Sequence, residues 1–154
     1  MAEVLFYHLE RASLEDVLPG LLAKTLERGW RAVVRVGSDD RAVALDAHLW
    51  SFREDSFLPH GLHRDAHASE QPILLSAKPG NLNGAEVTFY TDGTEPDNWV
   101  DPQLISAARV VVVFDGRDPE ALERAREQWK NAKAGGHDIT YWQQAASGKW
   151  EKRV

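Results

Sequence analysis

The stretch RVVVVFDGRDPEALERAREQWKNAKAGG, residues 109–136, decides the fold that the sequence predicts. Its first part, Arg109–Asp115, is rich in β-branched residues and is typical of a strand that is buried on both faces. Its second part predicts a helix over Asp118–Ala134, because Pro119 is a helix-start residue and Gly135–Gly136 supply a stop. A buried strand followed directly by a helix is typical of a parallel α/β sheet.

Two stripes of side chains run along the predicted helix. Ala121, Ala125 and Ala132 fall within a narrow arc at about 100° per residue, which suits close contact with a sheet. A second arc, about 100° wide, places a tryptophan among three cations and contains Leu122, Arg126, Trp129, Lys130 and Lys133. Two interpretations stay open here: the solvated basic edge of an ordinary amphipathic helix, or a recognition surface for something apolar and acidic.

The rest of the chain alternates between strand and helix patterns. The other predicted strands are Val4–Leu9, Trp30–Val36, Ile73–Ser76, Val87–Thr91 and Asp138–Gln143, and the other predicted helices are Leu14–Arg28 and residues 39–50. This alternation predicts one α/β domain over residues 1–154, with a mostly parallel, Rossmann-like sheet flanked by helices and a polar tail at residues 145–154. The insert at residues 77–86 permits either a hairpin or a crossover, so the strand order stays open.

The turn after the second predicted strand is where a phosphate cradle would lie in such a fold. It reads Gly37-Ser38-Asp39-Asp40, with one glycine and two acids that would repel a phosphate. Neither GxGxxG nor GxxxxGK[ST] occurs in the sequence. We therefore expect a Rossmann-like domain that lacks a nucleotide-binding motif and needs no cofactor.

Charge and composition exclude several classes of function. The net charge of −6 argues against a broad nucleic-acid footprint, although residues 117–154 carry a net +2 and residues 1–116 a net −8. The absence of cysteine excludes disulfides, thiolate zinc sites and a cysteine nucleophile. The N-terminus lacks the pattern of a signal peptide, and no apolar run is long enough to span a membrane. We expect a cytoplasmic protein that does not bind membranes or specific nucleic-acid sequences.

Three histidines invite a metal interpretation that the sequence does not support. His60, His63 and His67 have a spacing that could place three imidazoles around a zinc ion. However, the segment contains glycine, follows a proline and has no hydrophobic periodicity that would fix the geometry of the ligands. No metal site is therefore predicted.

A carboxylate pair with an arginine is the best enzymatic candidate in the sequence. Asp115, Arg117 and Asp118 follow the central predicted strand, at the end of the sheet where open α/β folds often bind ligands. A helix cap and a loop salt bridge explain the same residues more simply. No catalytic residue is predicted, and a small α/β enzyme that uses this site is kept as the alternative function.

Five motifs follow one another along the chain. They are VLFYHL at 4–9, LW at 49–50, SFLPH at 56–60, VVVFDG at 111–116 and LERAREQWK at 122–130, and a Gly-Gly pair precedes the last predicted strand. In this order and spacing the chain, from Val4 to about Trp142, resembles the chi subunit of the bacterial DNA polymerase III holoenzyme. The resemblance implies a non-catalytic adaptor of the clamp-loader complex, with an α/β fold and no working nucleotide site.

The resemblance also implies two partners. Chi subunits bind the psi subunit, which connects them to the clamp loader, and no residue of this sequence is predicted to contact psi. On another surface they bind the acidic, Phe-ending C-terminal tail of single-stranded DNA-binding protein. By motif position, the resemblance places the tail-binding residues at Arg126, Trp129, Lys130, Trp50 and Phe57.

The chemistry of these side chains fits such a tail. Arg126 can bind the terminal carboxylate with two parallel hydrogen bonds. Lys130 and Lys133 can attract the upstream aspartates from a distance. The walls of a pocket for the terminal ring are predicted to be Trp129, Trp50 and Phe57. Because the contact is small and charged, we expect it to be weak by itself and sensitive to salt.

Overall fold

Strands and helices alternate through residues 3–51, 59–80, 83–102 and 107–153, which are the residues that the computed structural model describes. The strands are β1 (Glu3–Leu9), β2 (Ala32–Arg35), β3 (His60–Leu62), β4 (Ile73–Ser76), β5 (Val87–Tyr90), β6 (Arg109–Asp115), β7 (Asp138–Gln144) and β8 (Trp150–Lys152). The helices are α1 (Leu14–Glu27), α2 (Asp39–Ser51) and α3 (Pro119–Ala134), with a short 3-10 turn at Ala68–Glu70. The element bounds predicted from the sequence agree with these within two residues, and β3 and β8 were not predicted.

The strands form one sheet in the order β3-β4-β2-β5-β6-β1-β7-β8. Every neighbouring pair is parallel except β7 and β8, which are antiparallel. The prediction of an α/β domain with a mostly parallel sheet is therefore confirmed. Because β4 and β5 lie on the two sides of β2 and both run parallel to it, the insert at residues 77–86 is part of a crossover and not of a hairpin.

The sheet separates two apolar cores, because successive residues of a strand point to opposite faces. On the first face, Leu22 of α1 and Leu45 of α2 lie in one buried cluster with Val111 of β6. On the second face, Ala125 of α3 lies in another buried cluster with the next strand residue, Val112. Helices α2 and α3 therefore cover opposite faces of the sheet.

Helix α3 contacts the sheet through the predicted alanine stripe. Ala125 and Ala132 are buried, and Ala121 is half-buried. The helix begins where its N-cap residue Asp118 accepts a hydrogen bond from the backbone N–H of Glu120, at 3.0 Å. Small side chains on the inner face let the helix lie close to β6 and β7, and this leaves its two flanks exposed.

The hydrogen bond of the N-cap residue Asp118 can be tested by substitution. Asp118→Ala is expected to lower the free energy of unfolding by about 1 kcal/mol, because a backbone N–H of the first turn loses its acceptor. The measurement is a urea unfolding curve, with Asp118→Asn as the matched variant that keeps a capping oxygen. Equal losses in the two variants would contradict a capping role for this side chain.

Two segments that the sequence assigned to a loop and a tail contain strands. Part of the predicted connection Ser51–Gln71 forms β3, which pairs with β4. In the polar tail, β8 pairs with β7, and Trp150 contacts the Tyr7 ring edge-on at 5.1 Å. Strands of three residues are too short to show an alternating pattern.

Among the described residues there is no helix with the length and apolar character that crossing a membrane requires.

Candidate functional site

A partly exposed apolar surface lies where α3 runs beside β7 on the second face of the sheet. Four side chains contribute to it and are packed against the second core: Leu122 and Trp129 from α3, and Ile139 and Tyr141 from β7. Three exposed cations of α3 stand along the same flank: Arg126, Lys130 and Lys133. We call these seven residues the α3–β7 surface.

Two cations of the α3–β7 surface, Arg126 and Lys130, form long and exposed ion pairs within α3. Arg126 lies 3.8 Å from the Glu123 carboxylate, and Lys130 lies 3.7 Å from that of Glu127, with all four side chains largely exposed. Solvent-exposed ion pairs of this kind contribute little, so an incoming carboxylate can replace them at small cost. Lys133 Nζ lies 4.8 Å from the centroid of the Trp129 ring.

Tyr141 joins this surface to a buried histidine. Its hydroxyl lies 2.7 Å from Nδ1 of His8, and Nε2 of His8 lies 2.6 Å from the Glu10 carboxylate. Burial raises the pKa of the Tyr141 hydroxyl, and the positive charge of Arg126 acts in the opposite direction. The contact with His8 therefore holds the Tyr141 hydroxyl in position at the inner side of this surface.

The β7 side of the surface is absent from the site residues predicted from the sequence. The sequence predicts a strand that contains Ile139 and Tyr141 but no role for them in binding. The signal that could have found them is their spacing of two, which places both side chains on the same face of the strand. In the structure this face is the one beside α3.

The structure does not bring Trp50 and Trp129 together into the predicted pocket. Trp50 lies near the end of α2, the helix on the first face of the sheet, and its ring is 4.4 Å from that of His60 in β3. Trp129 lies on the second face, where α3 contacts β6 and β7. The sheet itself separates the two indoles. Phe57 lies outside the described residues, and its predicted role stays a prediction.

The residues of the alternative enzymatic site already have partners within the protein: Asp115 and Arg117 bind each other, and Asp118 caps α3. Arg117 Nε donates to Asp115 Oδ1 at 2.9 Å, and this hydrogen bond is the main reason that the pKa of Asp115 is lowered. Asp118 caps α3. A carboxylate that is held ionised by its neighbour is a poor proton donor. No observation here favours a catalytic role for the three residues.

These residues lie at the mouth of a cleft of about 350 Å³, at the carboxyl ends of β5 and β6. Polar groups at the rim of this cleft already form hydrogen bonds within the protein. Asp92 accepts hydrogen bonds from the Gly37 backbone N–H at 3.0 Å and from the Arg41 guanidinium at 3.2 Å. Arg124 reaches across the cleft and lies over Gly93. The cleft is on the other flank of α3 from the α3–β7 surface.

Two of the three histidines, His60 and His67, have different surroundings. His60 is buried in β3, and its Nε2 lies 3.2 Å from the Asp46 carboxylate. His67 is exposed and lies 3.2 Å from Glu70. In the described ranges, no group of three or more histidines and acids has an arrangement that could hold a metal ion.

Comparison with known proteins finds one family. The sequence model described as "DNA polymerase III chi subunit, HolC" matches residues 1–140. DNA polymerase III subunit chi of Pseudomonas aeruginosa is 24% identical over 143 residues, which cover 90% of this chain and 94% of that protein. The Haemophilus influenzae protein of the same name is 22% identical over 129 residues, or 83% and 85% of the two chains. A probable chi subunit of Rickettsia prowazekii is 23% identical over 95 residues, which are 62% of this chain and 58% of that protein.

Proposed function

The chain belongs to the DNA polymerase III chi subunit family and is thus an accessory subunit of DNA replication, and from this premise we propose how it acts. It serves as a non-catalytic adaptor that binds the acidic, Phe-ending C-terminal tail of single-stranded DNA-binding protein on the α3–β7 surface. The observation that carries the proposal is the position of Arg126, an exposed cation about one helical turn before Trp129, on the helix that packs with Tyr141 of β7 against the second core.

The tail and the α3–β7 surface have complementary chemistry. A tail that ends in phenylalanine offers a carboxylate and a ring at one point, with aspartates upstream. The Arg126 guanidinium can donate two parallel hydrogen bonds to the carboxylate. The ring can cover the exposed parts of Trp129 and Tyr141, where aromatic contacts add to burial. Lys130 and Lys133, further along the helix, can attract the aspartates.

The same proposal includes a second partner on a different surface. Where a psi subunit is present, it connects this chain to the clamp loader and leaves the α3–β7 surface open to the tail. The adaptor then holds the polymerase assembly near DNA that is coated with single-stranded DNA-binding protein. It works in the cytoplasm, and without a cofactor or catalytic residue of its own.

Titration of a fluorescent peptide tests this function. The peptide ends in acidic residues followed by Ile-Pro-Phe, and its fluorescence anisotropy is followed at low and high salt. We expect a dissociation constant in the micromolar range, as befits a small interface, and weaker binding at high salt because exposed charges are screened.

The control peptide has the same sequence and ends in a carboxamide. It keeps the ring and the aspartates but loses the charge that Arg126 would bind, so we expect much weaker binding. Equal affinity of the two peptides, or binding that does not respond to salt, would contradict the proposed recognition of a terminal carboxylate.

A further inference from the structure

The outer edge of β7 is covered along only part of its length. Strand β8 pairs with Trp142–Gln144, and beyond β8 the backbone N–H of Arg153 donates to the Tyr141 carbonyl at 2.8 Å. In the described part of the chain, no strand pairs with the outer side of Asp138–Thr140. This uncovered edge adjoins the α3–β7 surface.

The register shows which backbone groups point outward from this edge. Ile139 is the partner of Val4 in the parallel ladder with β1. The carbonyl of Leu9 in β1 points toward β6, because it accepts a hydrogen bond from the Gly116 N–H. Backbone groups of successive strand residues point to alternate sides, and Val4 is an odd number of residues from Leu9. Val4 therefore directs its own N–H and C=O toward β7, where they bond to the neighbours of Ile139 and not to Ile139 itself. The N–H and C=O of Ile139 point to the outer edge, as those of Tyr141 do.

The outward N–H and C=O of Ile139 have no backbone partner within the described residues. Its side chain lies on the α3 face, half-buried beside the other apolar residues of the α3–β7 surface. An unpaired strand edge that is flanked by an apolar wall and by cations offers main-chain hydrogen bonds, a site for a side chain and charge attraction together. These are the elements of recognition by an added strand.

We propose that the tail binds as a short strand added to the uncovered edge of β7. This inference rests on the proposed function and specifies how that ligand is held. The terminal ring lies opposite Ile139, on the α3 face. The residue before the phenylalanine accepts the hydrogen bond of the Ile139 N–H with its carbonyl oxygen, and a proline at this position keeps that oxygen.

The cations of α3 set the direction of the added strand. Helix α3 runs antiparallel to β7, because it connects two strands that are both parallel to β1. Lys133, in the last turn of α3, therefore lies near the start of β7, and Arg126, about two turns earlier, lies further along the strand. A carboxylate at Arg126 and aspartates near Lys133 therefore require the tail to run parallel to β7. The seven residue steps from Arg126 to Lys133 rise about 10 Å along the helix, and three residues of an extended tail span about 10 Å.

Amide hydrogen exchange of the whole protein, with and without the Ile-Pro-Phe peptide at saturation, tests the added strand. The Ile139 N–H is expected to exchange at least about tenfold more slowly when the peptide is bound, as a newly hydrogen-bonded amide does. The Thr140 N–H, which faces β1 in both states, is the internal control. Peptide binding without slower exchange at Ile139 would overturn the inference and leave the proposed function standing, whereas absence of binding would overturn both.

A pair of variants separates the hydrogen bond from simple coverage of the edge. Ile139→Pro removes the outward N–H, and proline is tolerated at an unpaired edge because the ladder to β1 does not use this group. We expect it to weaken peptide binding about three- to tenfold, the effect of one hydrogen bond. Ile139→Val keeps the N–H and is expected to bind more tightly than Ile139→Pro. Equal affinities of the two variants, with both folded by circular dichroism, would contradict the added strand.

Discussion

Replacement of Arg126 by alanine is expected to weaken binding of the acidic tail by about 10- to 100-fold, because a charge-assisted pair of hydrogen bonds is lost. The side chain is exposed and its ion pair with Glu123 is long, at 3.8 Å, so the fold should not change. The measurement is the peptide titration at low salt, with the thermal unfolding midpoint as the check on folding.

Arg124→Ala is the matched control for this prediction. It removes the same charge from the same helix, but Arg124 lies on the opposite flank of α3, over Gly93 in the cleft. We expect its effect on affinity to stay within about threefold, since only a screened long-range attraction is lost. If the two variants lost affinity equally, the overall charge of α3 would explain binding and the α3–β7 surface would not be required.

Gly116→Ala is expected to cost about 3 kcal/mol in the free energy of unfolding, the upper part of the range for overpacking a core. A Cβ on Gly116 would overlap the imidazole of His8. His8 is buried and contacts both Tyr141 and Glu10, so it cannot move aside without breaking a contact on either side. Urea unfolding measures the loss.

Gly20→Ala provides the opposite expectation in the same assay. Gly20 lies inside α1, and a Cβ there would meet no atom within 4 Å. Alanine is the better helix former, so the variant should be more stable by about 0.5–1 kcal/mol.

Peptide binding adds a second readout for Gly116→Ala. Displacement of His8 removes the support of Tyr141, so the variant should also bind the tail less tightly at temperatures where it is folded. Unchanged stability and unchanged binding together would contradict the positioning of Tyr141 by His8.

The α/β architecture could be predicted because its signals are local. The β-branched residues of Arg109–Asp115 admit little except a buried strand, and the cap at Asp118 and the glycines after Ala134 mark the ends of α3. The alanine stripe and the basic edge then follow from the helical period alone. The motifs of the chi family agreed with this pattern, and the family is confirmed.

The composition of the candidate site could not be predicted as well, because it depends on contacts that are distant in the sequence. Trp50 and Trp129 each lie on a helix next to the sheet. The direction of the crossover connections decides which face of the sheet each helix covers, and no sequence signal near either tryptophan indicates that direction. Tyr141 was missed for a related reason. Its role depends on His8, which is 133 residues away in the sequence.

Binding at the α3–β7 surface can be followed directly through the indole N–H signals of the tryptophans, by nuclear magnetic resonance while the Ile-Pro-Phe peptide is added. Trp129→Phe and Trp50→Phe variants assign the two signals. Binding at the α3–β7 surface predicts that the Trp129 signal shifts in proportion to occupancy and that the Trp50 signal, on the opposite face of the sheet, stays in place. A shift at Trp50 with an unmoved Trp129 signal would contradict binding at the α3–β7 surface.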